Sequence, residues 1–144
     1  MKNWLKYLLL SIIAWLIVDF TTTQAIANLS YYPTHMPALL IFYIGLPLIF
    51  AFLIYKVKIS NKILILAMII EIILVELVLS GNVMLIQFPL FLIAIPLALA
   101  YYSIVTILPF WIVENKIKEN KKIVILIGVV WLIGFLLNIA SQFG

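Results

Sequence analysis

Apolar stretches long enough to cross a bilayer recur along this chain at roughly 4–24, 38–55, 62–80, 84–112 and 121–141, separated by short polar breaks. A helix needs about 20 mostly apolar residues to traverse the hydrocarbon core. Lipid offers no partner to backbone N–H and C=O groups, so helix is the form that such stretches take. The sequence therefore predicts an all-α, polytopic membrane helix bundle of about five transmembrane helices, forming a single transmembrane domain over 1–144. Composition agrees, because 67% hydrophobic and 10% charged residues leave too little polar surface for a water-facing shell. Short gaps make consecutive helices antiparallel neighbours.

The cationic side chains are all lysines, and they fall at alternate breaks. Lys2 and Lys6 precede the first stretch, Lys56, Lys58 and Lys62 separate the second from the third, and Lys116, Lys118, Lys121 and Lys122 separate the fourth from the fifth. The breaks at 25–37 and 81–83 carry none. The positive-inside rule then predicts a cytoplasmic N-terminus and an external C-terminus in a multi-pass protein of the cell membrane, with the lipid bilayer as its surroundings. The same scattering excludes nucleic acid, since no basic face is long enough to follow a phosphate backbone. Trp4, Tyr7, Tyr31, Tyr32, Tyr55 and Trp111 lie near the ends of these stretches and read as headgroup anchors.

Several local features modify this picture. Pro89, Pro96 and Pro109 in the fourth stretch each remove a backbone donor and predict a kinked or tilted helix, and Pro47 has the same effect in the second. Lys2 to Lys6, the apolar run Tyr7 to Val18 and Ala25-Ile26-Ala27 imitate a cleavable signal peptide, against which stands the long polar segment that begins at Asp19. Lys56 to Ile63 aligns with Lys116 to Ile123, but no prolines or acids correspond, which favours chance over a duplicated hairpin. Asn28-Leu29-Ser30 is a glycosylation sequon too close to the membrane to expect a sugar. Ala94 and Ala98 form one small-xxx-small pair suited to tight helix packing.

The chemistry rests on acids inside the apolar stretches. Asp19, Glu71 and Glu76 each cost about 2.5–3.5 kcal/mol near a helix centre on insertion scales, so each demands a partner or a proton. Asp19 lies as many residues beyond Leu5 as Glu76 lies beyond Lys62, which puts the two at similar depth in the outer half. Thr22 and Thr23 follow Asp19 at i+3 and i+4 and share its face. Glu71 and Glu76 stand five apart, roughly 140° round an α-helix, and should not share a narrow face. Ser80, Asn82, Gln87, Asn138, Ser141 and Gln142 gather at the same external end, with His35 in the first external loop. No lysine is available at that depth, leaving protonation, a bound cation, water or a partner subunit to neutralise the acids.

Two function classes fit. One is a small proton- or cation-linked carrier, or a component of one, that uses Asp19, Glu71 and Glu76 as binding groups with Thr22, Thr23, Gln87 and Asn138 in support. The other is a non-catalytic subunit or assembly factor whose acids meet a membrane-protein partner or a second copy of the chain. A lone histidine and no cysteine provide no metal-ligand spacing, and no cofactor motif is present. Without G-x-S-x-G or a second histidine there is no hydrolase signature, which weighs against an enzyme and leaves a membrane-embedded lipid enzyme a distant third.

Asp19-Phe20-Thr21-Thr22-Thr23, with Pro37 opening the next apolar stretch, resembles a pattern in small uncharacterised prokaryotic membrane proteins. In that group an Asp-x-x-Thr-Thr helix end leads to a Glu-x-Asn-Pro turn. Here Thr34-His35-Met36-Pro37 replaces the turn, so its acid and asparagine are missing. The resemblance covers about a quarter of the chain and implies membrane location alone, with no site residue carried over.

Overall fold

The computed structural model describes residues 1–23, 28, 35 and 39–144, and every regular element among them is helical. We label the helices α1 (Asn3–Thr22), α2 (Ile41–Val57), α3 (Asn61–Ile72, continued by π-helical turns over Ile73–Leu79), α4 (Phe91–Val113) and α5 (Lys121–Phe143). Three of them, α1, α4 and α5, are long and apolar enough to cross a membrane. The 23 residues of α4 would extend about 34 Å as regular helix, against a hydrocarbon core of about 30 Å. Helix α2 is shorter, and α3 carries Lys62, Glu71 and Glu76 among its apolar residues. The signal-like Ala25-Ile26-Ala27, Leu29 and Ser30 of the sequon, Tyr31, Tyr32 and Pro37 lie outside the described residues.

The fourth apolar stretch does not become one long helix from residue 84. Asn82 accepts a hydrogen bond from the Met84 N–H and caps a short 3₁₀ turn, Val83–Leu85; Pro89 lies in the turn that follows, and α4 starts at Phe91. Pro47 and Pro109 share a second arrangement. Each stands at the start of an α-helical stretch directly after a π-helical turn, Ile41–Gly45 in α2 and Ser103–Ile107 in α4. A proline ring crowds the carbonyl four residues back and gives it no N–H, and a widened turn makes room for the ring. In α4 that carbonyl belongs to Val105. It is satisfied from α1, where the Ser11 hydroxyl donates to it, while the Tyr7 hydroxyl donates to the adjacent Thr106 carbonyl at 3.2 Å.

These bonds correct the reading of Tyr7 and Trp111 as headgroup anchors. Tyr7 is fully buried and Trp111 nearly so, both within the core cluster, whereas Trp4 stays exposed. The hydrogen-bond need of the α4 backbone outweighs the interfacial preference of the Tyr7 ring.

Three helices end alike, with a residue in the left-handed region: Lys58 after α2, Gly81 after α3 and Asn115 after α4. In each case the following N–H reaches back to tie off a terminal carbonyl, six residues away from Ile59 to Leu53 and from Asn82 to Glu76 and five away from Lys116 to Trp111. The two lysine-rich stretches do not coincide in shape. Helix α3 begins three residues after Lys58, whereas a further turn follows Asn115 before α5, in keeping with a chance sequence match.

Helix α4 contacts each of the other four helices, and α1 lies against α2, α4 and α5. The C-terminal carbonyls of α1 are closed by α5: Asn138 Nδ2 donates to the Thr21 and Thr23 carbonyls at 2.8 and 3.1 Å, and Gln142 Nε2 donates to Thr23 at 2.7 Å. Trp131 Nε1 donates to the Thr21 hydroxyl at 3.1 Å. The outward faces are studded with exposed Ile, Leu, Val and Phe, as a lipid-facing surface requires.

Gly134 lets α5 approach α4, since a Cβ there would collide with the Tyr101 hydroxyl and the Leu97 side chain; a Cβ at Gly128 would meet nothing. Gly134→Ala should therefore destabilise the bundle by about 1–3 kcal/mol through overpacking. Gly128→Ala should be neutral or stabilising by up to about 1 kcal/mol. Thermal unfolding of the two variants in detergent checks the contrast.

Candidate functional site

One face of α1 carries Tyr7, Ser11, Trp15, Asp19 and Thr23 at successive intervals of four, which stacks them along a single ridge. The lower part of that ridge satisfies α4, as described above. The upper part opens on a cavity of about 280 Å³ whose lining includes Trp15, Asp19, Thr22, Thr23, Tyr43, Glu76, Ser80, Tyr101 and Tyr102. Asp19 and Glu76 thus face the same space, as their matched depth predicts. Trp15 forms part of the wall and packs edge-on against Tyr102, with ring centroids 5.5 Å apart.

Asp19 Oδ2 is buried and accepts no hydrogen bond, while Tyr43 and His35 both interact with this carboxylate. The Thr22 and Thr23 hydroxyls donate to the carbonyls of Val18 and Asp19 at 2.8 and 2.7 Å. Their protons are engaged along the helix, so what they bring to the cavity is oxygen lone pairs, suited to a proton donor or a cation. Glu76 is held from two sides: the Tyr102 hydroxyl donates to Oε1 at 2.9 Å and Asn82 Nδ2 donates to Oε2 at 3.0 Å. Glu76 also lines a second cavity of about 230 Å³ with Asn82, Met84, Ala94, Ala98 and Tyr101. The small side chains of Ala94 and Ala98 there border open space.

Glu71 lies deeper. It is only 5% exposed, Thr106 Oγ1 donates to its Oε2 at 3.2 Å, and its Oε1 is buried without a partner. The expected 140° offset between Glu71 and Glu76 does not keep them from the same neighbouring helix. The helix passes into π-helical turns at Ile73, between the two acids, and closure five residues apart brings such positions toward one face. Both acids consequently meet α4, Glu71 at Thr106 and Glu76 at Tyr102, one helical turn apart on an antiparallel neighbour.

Of the supporting polar residues, Thr22 and Thr23 join the main cavity. Asn138 instead caps α1, and Gln87 is exposed in the turn before α4, lining neither cavity. Tyr43, Tyr102 and Thr106 were not among the residues expected to take part. The signal available for the last two was a pair of hydroxyls spaced by four within an apolar run, just ahead of Pro109. Among the described residues no three His, Cys, Asp or Glu side chains gather as a metal site. The main cavity is small beside the roughly 300–1,000 Å³ of drug-sized ligand sites but has room for waters or a partly hydrated cation.

Thr106→Val removes the one hydrogen bond that the described residues give the Glu71 carboxylate and should destabilise the bundle by about 1–3 kcal/mol. Combined with Glu71→Leu, which removes the buried acid as well, the loss should be smaller than the sum of the two single changes. Unfolding of the three variants in detergent measures that coupling. Comparison with protein-family models, with curated proteins and with solved structures gives no match, so the functional argument rests on these side chains.

Proposed function

We propose that this chain is a five-span protein of the cell membrane, with its N-terminus cytoplasmic and its C-terminus external, that acts as a small proton- or cation-linked carrier or as a component of one. Two sets of contacts support the span count. The N-terminal end of α1 meets the C-terminal ends of α2 and α4, because Glu114 Oε1 accepts from Asn3 at 3.3 Å and from Tyr55 at 3.2 Å. The C-terminal ends of α1 and α5 meet through Asn138 and Gln142. This alternation gathers the lysine-bearing breaks at one end of a single bundle.

The observation that carries the functional reading is the shared cavity of Asp19 and Glu76. Two carboxylates at one depth, with threonine oxygens and His35 beside them and no lysine within reach, form a site for positive charge, whether a proton or a cation. Exposed Ser80 stands at the rim, at the end remote from the lysines. The inward direction of all three acids favours a carrier over a subunit that offers its acids to a partner through the lipid-facing surface.

Purified protein in liposomes containing a pH-sensitive dye should dissipate an imposed proton or cation gradient. Asp19→Asn and Glu76→Gln should each slow that flux by at least about tenfold, in line with the loss of a proton-transferring group. Flux equal to wild type in both variants would overturn the reading. Because the chain contains no cysteine, single cysteines placed at Lys118 and Ser141 test the orientation: an impermeant thiol reagent added outside cells should label position 141 and spare 118.

A further inference from the structure

Polar side chains continue from the outer cavity to the lysine end of the bundle. Starting from Glu76, the Tyr102 hydroxyl leads to α4, and Thr106, one turn on, binds Glu71 through its hydroxyl. The Thr106 carbonyl accepts from Tyr7 at 3.2 Å. Tyr7 packs edge-on against Tyr55, ring centroids 6.1 Å apart, and the Tyr55 hydroxyl donates to Glu114 at 3.2 Å. Glu114 is half-buried at the end of α4, where Asn3 also holds it, while nearby Lys116 lies over the Phe110 ring at 4.7 Å. Tyr55 further lines a cavity of about 280 Å³ with Trp4, Ala51, Phe52 and Lys56. Two cavities at opposite ends of the bundle therefore reach toward the same file of hydroxyls and carboxyls.

We propose that Glu114 is the inner terminus of a proton path that runs from Glu76 through Tyr102, Glu71, Tyr7 and Tyr55. The inference rests on the proton-linked reading above and narrows it to protons. In each transfer a carboxylate or hydroxyl oxygen accepts one proton and releases another, so no group is consumed and no oxidation occurs. Glu71 suits the middle of the file because its Oε1 makes no hydrogen bond and is the oxygen that can pass the proton on. Tyr7 and Tyr55, in ring contact with one another, occupy the interval between Glu71 and Glu114, where the sequence offers no other acid.

The test is proton flux in liposomes with wild type, Glu114→Gln, Tyr55→Phe and Glu114→Asp, alongside Glu76→Gln. Glu114→Gln and Tyr55→Phe should each slow flux by about tenfold or more, and Glu114→Asp should recover much of it. Tyr55→Phe keeps the ring packing, so a loss there with an unchanged unfolding temperature separates proton transfer from structural support. Flux that falls in Glu76→Gln yet equals wild type in Glu114→Gln and Tyr55→Phe would overturn the inner path and leave the carrier reading standing. Wild-type liposomes that pass a cation but no protons would also overturn the path alone, whereas no flux of either kind would overturn both.

Discussion

The Ser103–Ile107 turn of α4 is the constraint on which the rest of the bundle depends. Pro109 deprives Val105 of its helical partner, and a bare carbonyl within hydrocarbon costs several kcal/mol. Val105 is almost fully buried, so another helix supplies the donor, and Ser11 does so with Tyr7 beside it. This fixes the rotation of α1 against α4, which in turn decides that the four-residue ridge of α1 faces inward along its length. Asp19 then reaches the cavity as a consequence of where Ser11 is bound.

The same turn presents Tyr102 and Thr106 to α3. A carboxyl buried as deeply as Glu71 would be untenable against leucine and isoleucine alone. The hydroxyls on α4 stand four apart and the acids on α3 five apart, and each widened turn places one member of a pair, Glu76 against Tyr102 and Thr106 against Glu71. Such turns are uncommon in helices and are associated with functional positions. Here they align polar groups that regular helices would leave on different faces.

The apolar helices themselves, and the acids within them, are legible in the sequence, because hydrophobic length and charge depletion are properties of single residues added along a window. The common depth of Asp19 and Glu76 is legible for the same reason, since helical rise accumulates evenly. What the sequence obscures is azimuth. Projection of α3 at 3.6 residues per turn separates Glu71 from Glu76 and carries no sign of the π-helical turns that begin at Ile73, yet both acids bond to α4. Tyrosines are ambiguous in another way: Tyr7 near a helix start reads as an interfacial ring, and its role as a donor depends on the backbone of a different helix, beside Pro109. The ridge of Tyr7, Ser11, Trp15, Asp19 and Thr23 is visible once the direction of one member is known. Asn138 and Gln142, polar residues at a helix end, carry no mark that they cap a different helix.

That capping has a consequence for how the protein is made. Ribosomal synthesis delivers α1 before α5, so the carbonyls at Thr21 and Thr23 lack the amides of Asn138 and Gln142 until α5 has emerged. Until then this end of α1 needs water or headgroups as temporary partners. The outer wall of the Asp19 cavity therefore reaches its finished form only on docking of α5, and until that helix arrives the growing chain carries an unfinished polar mouth.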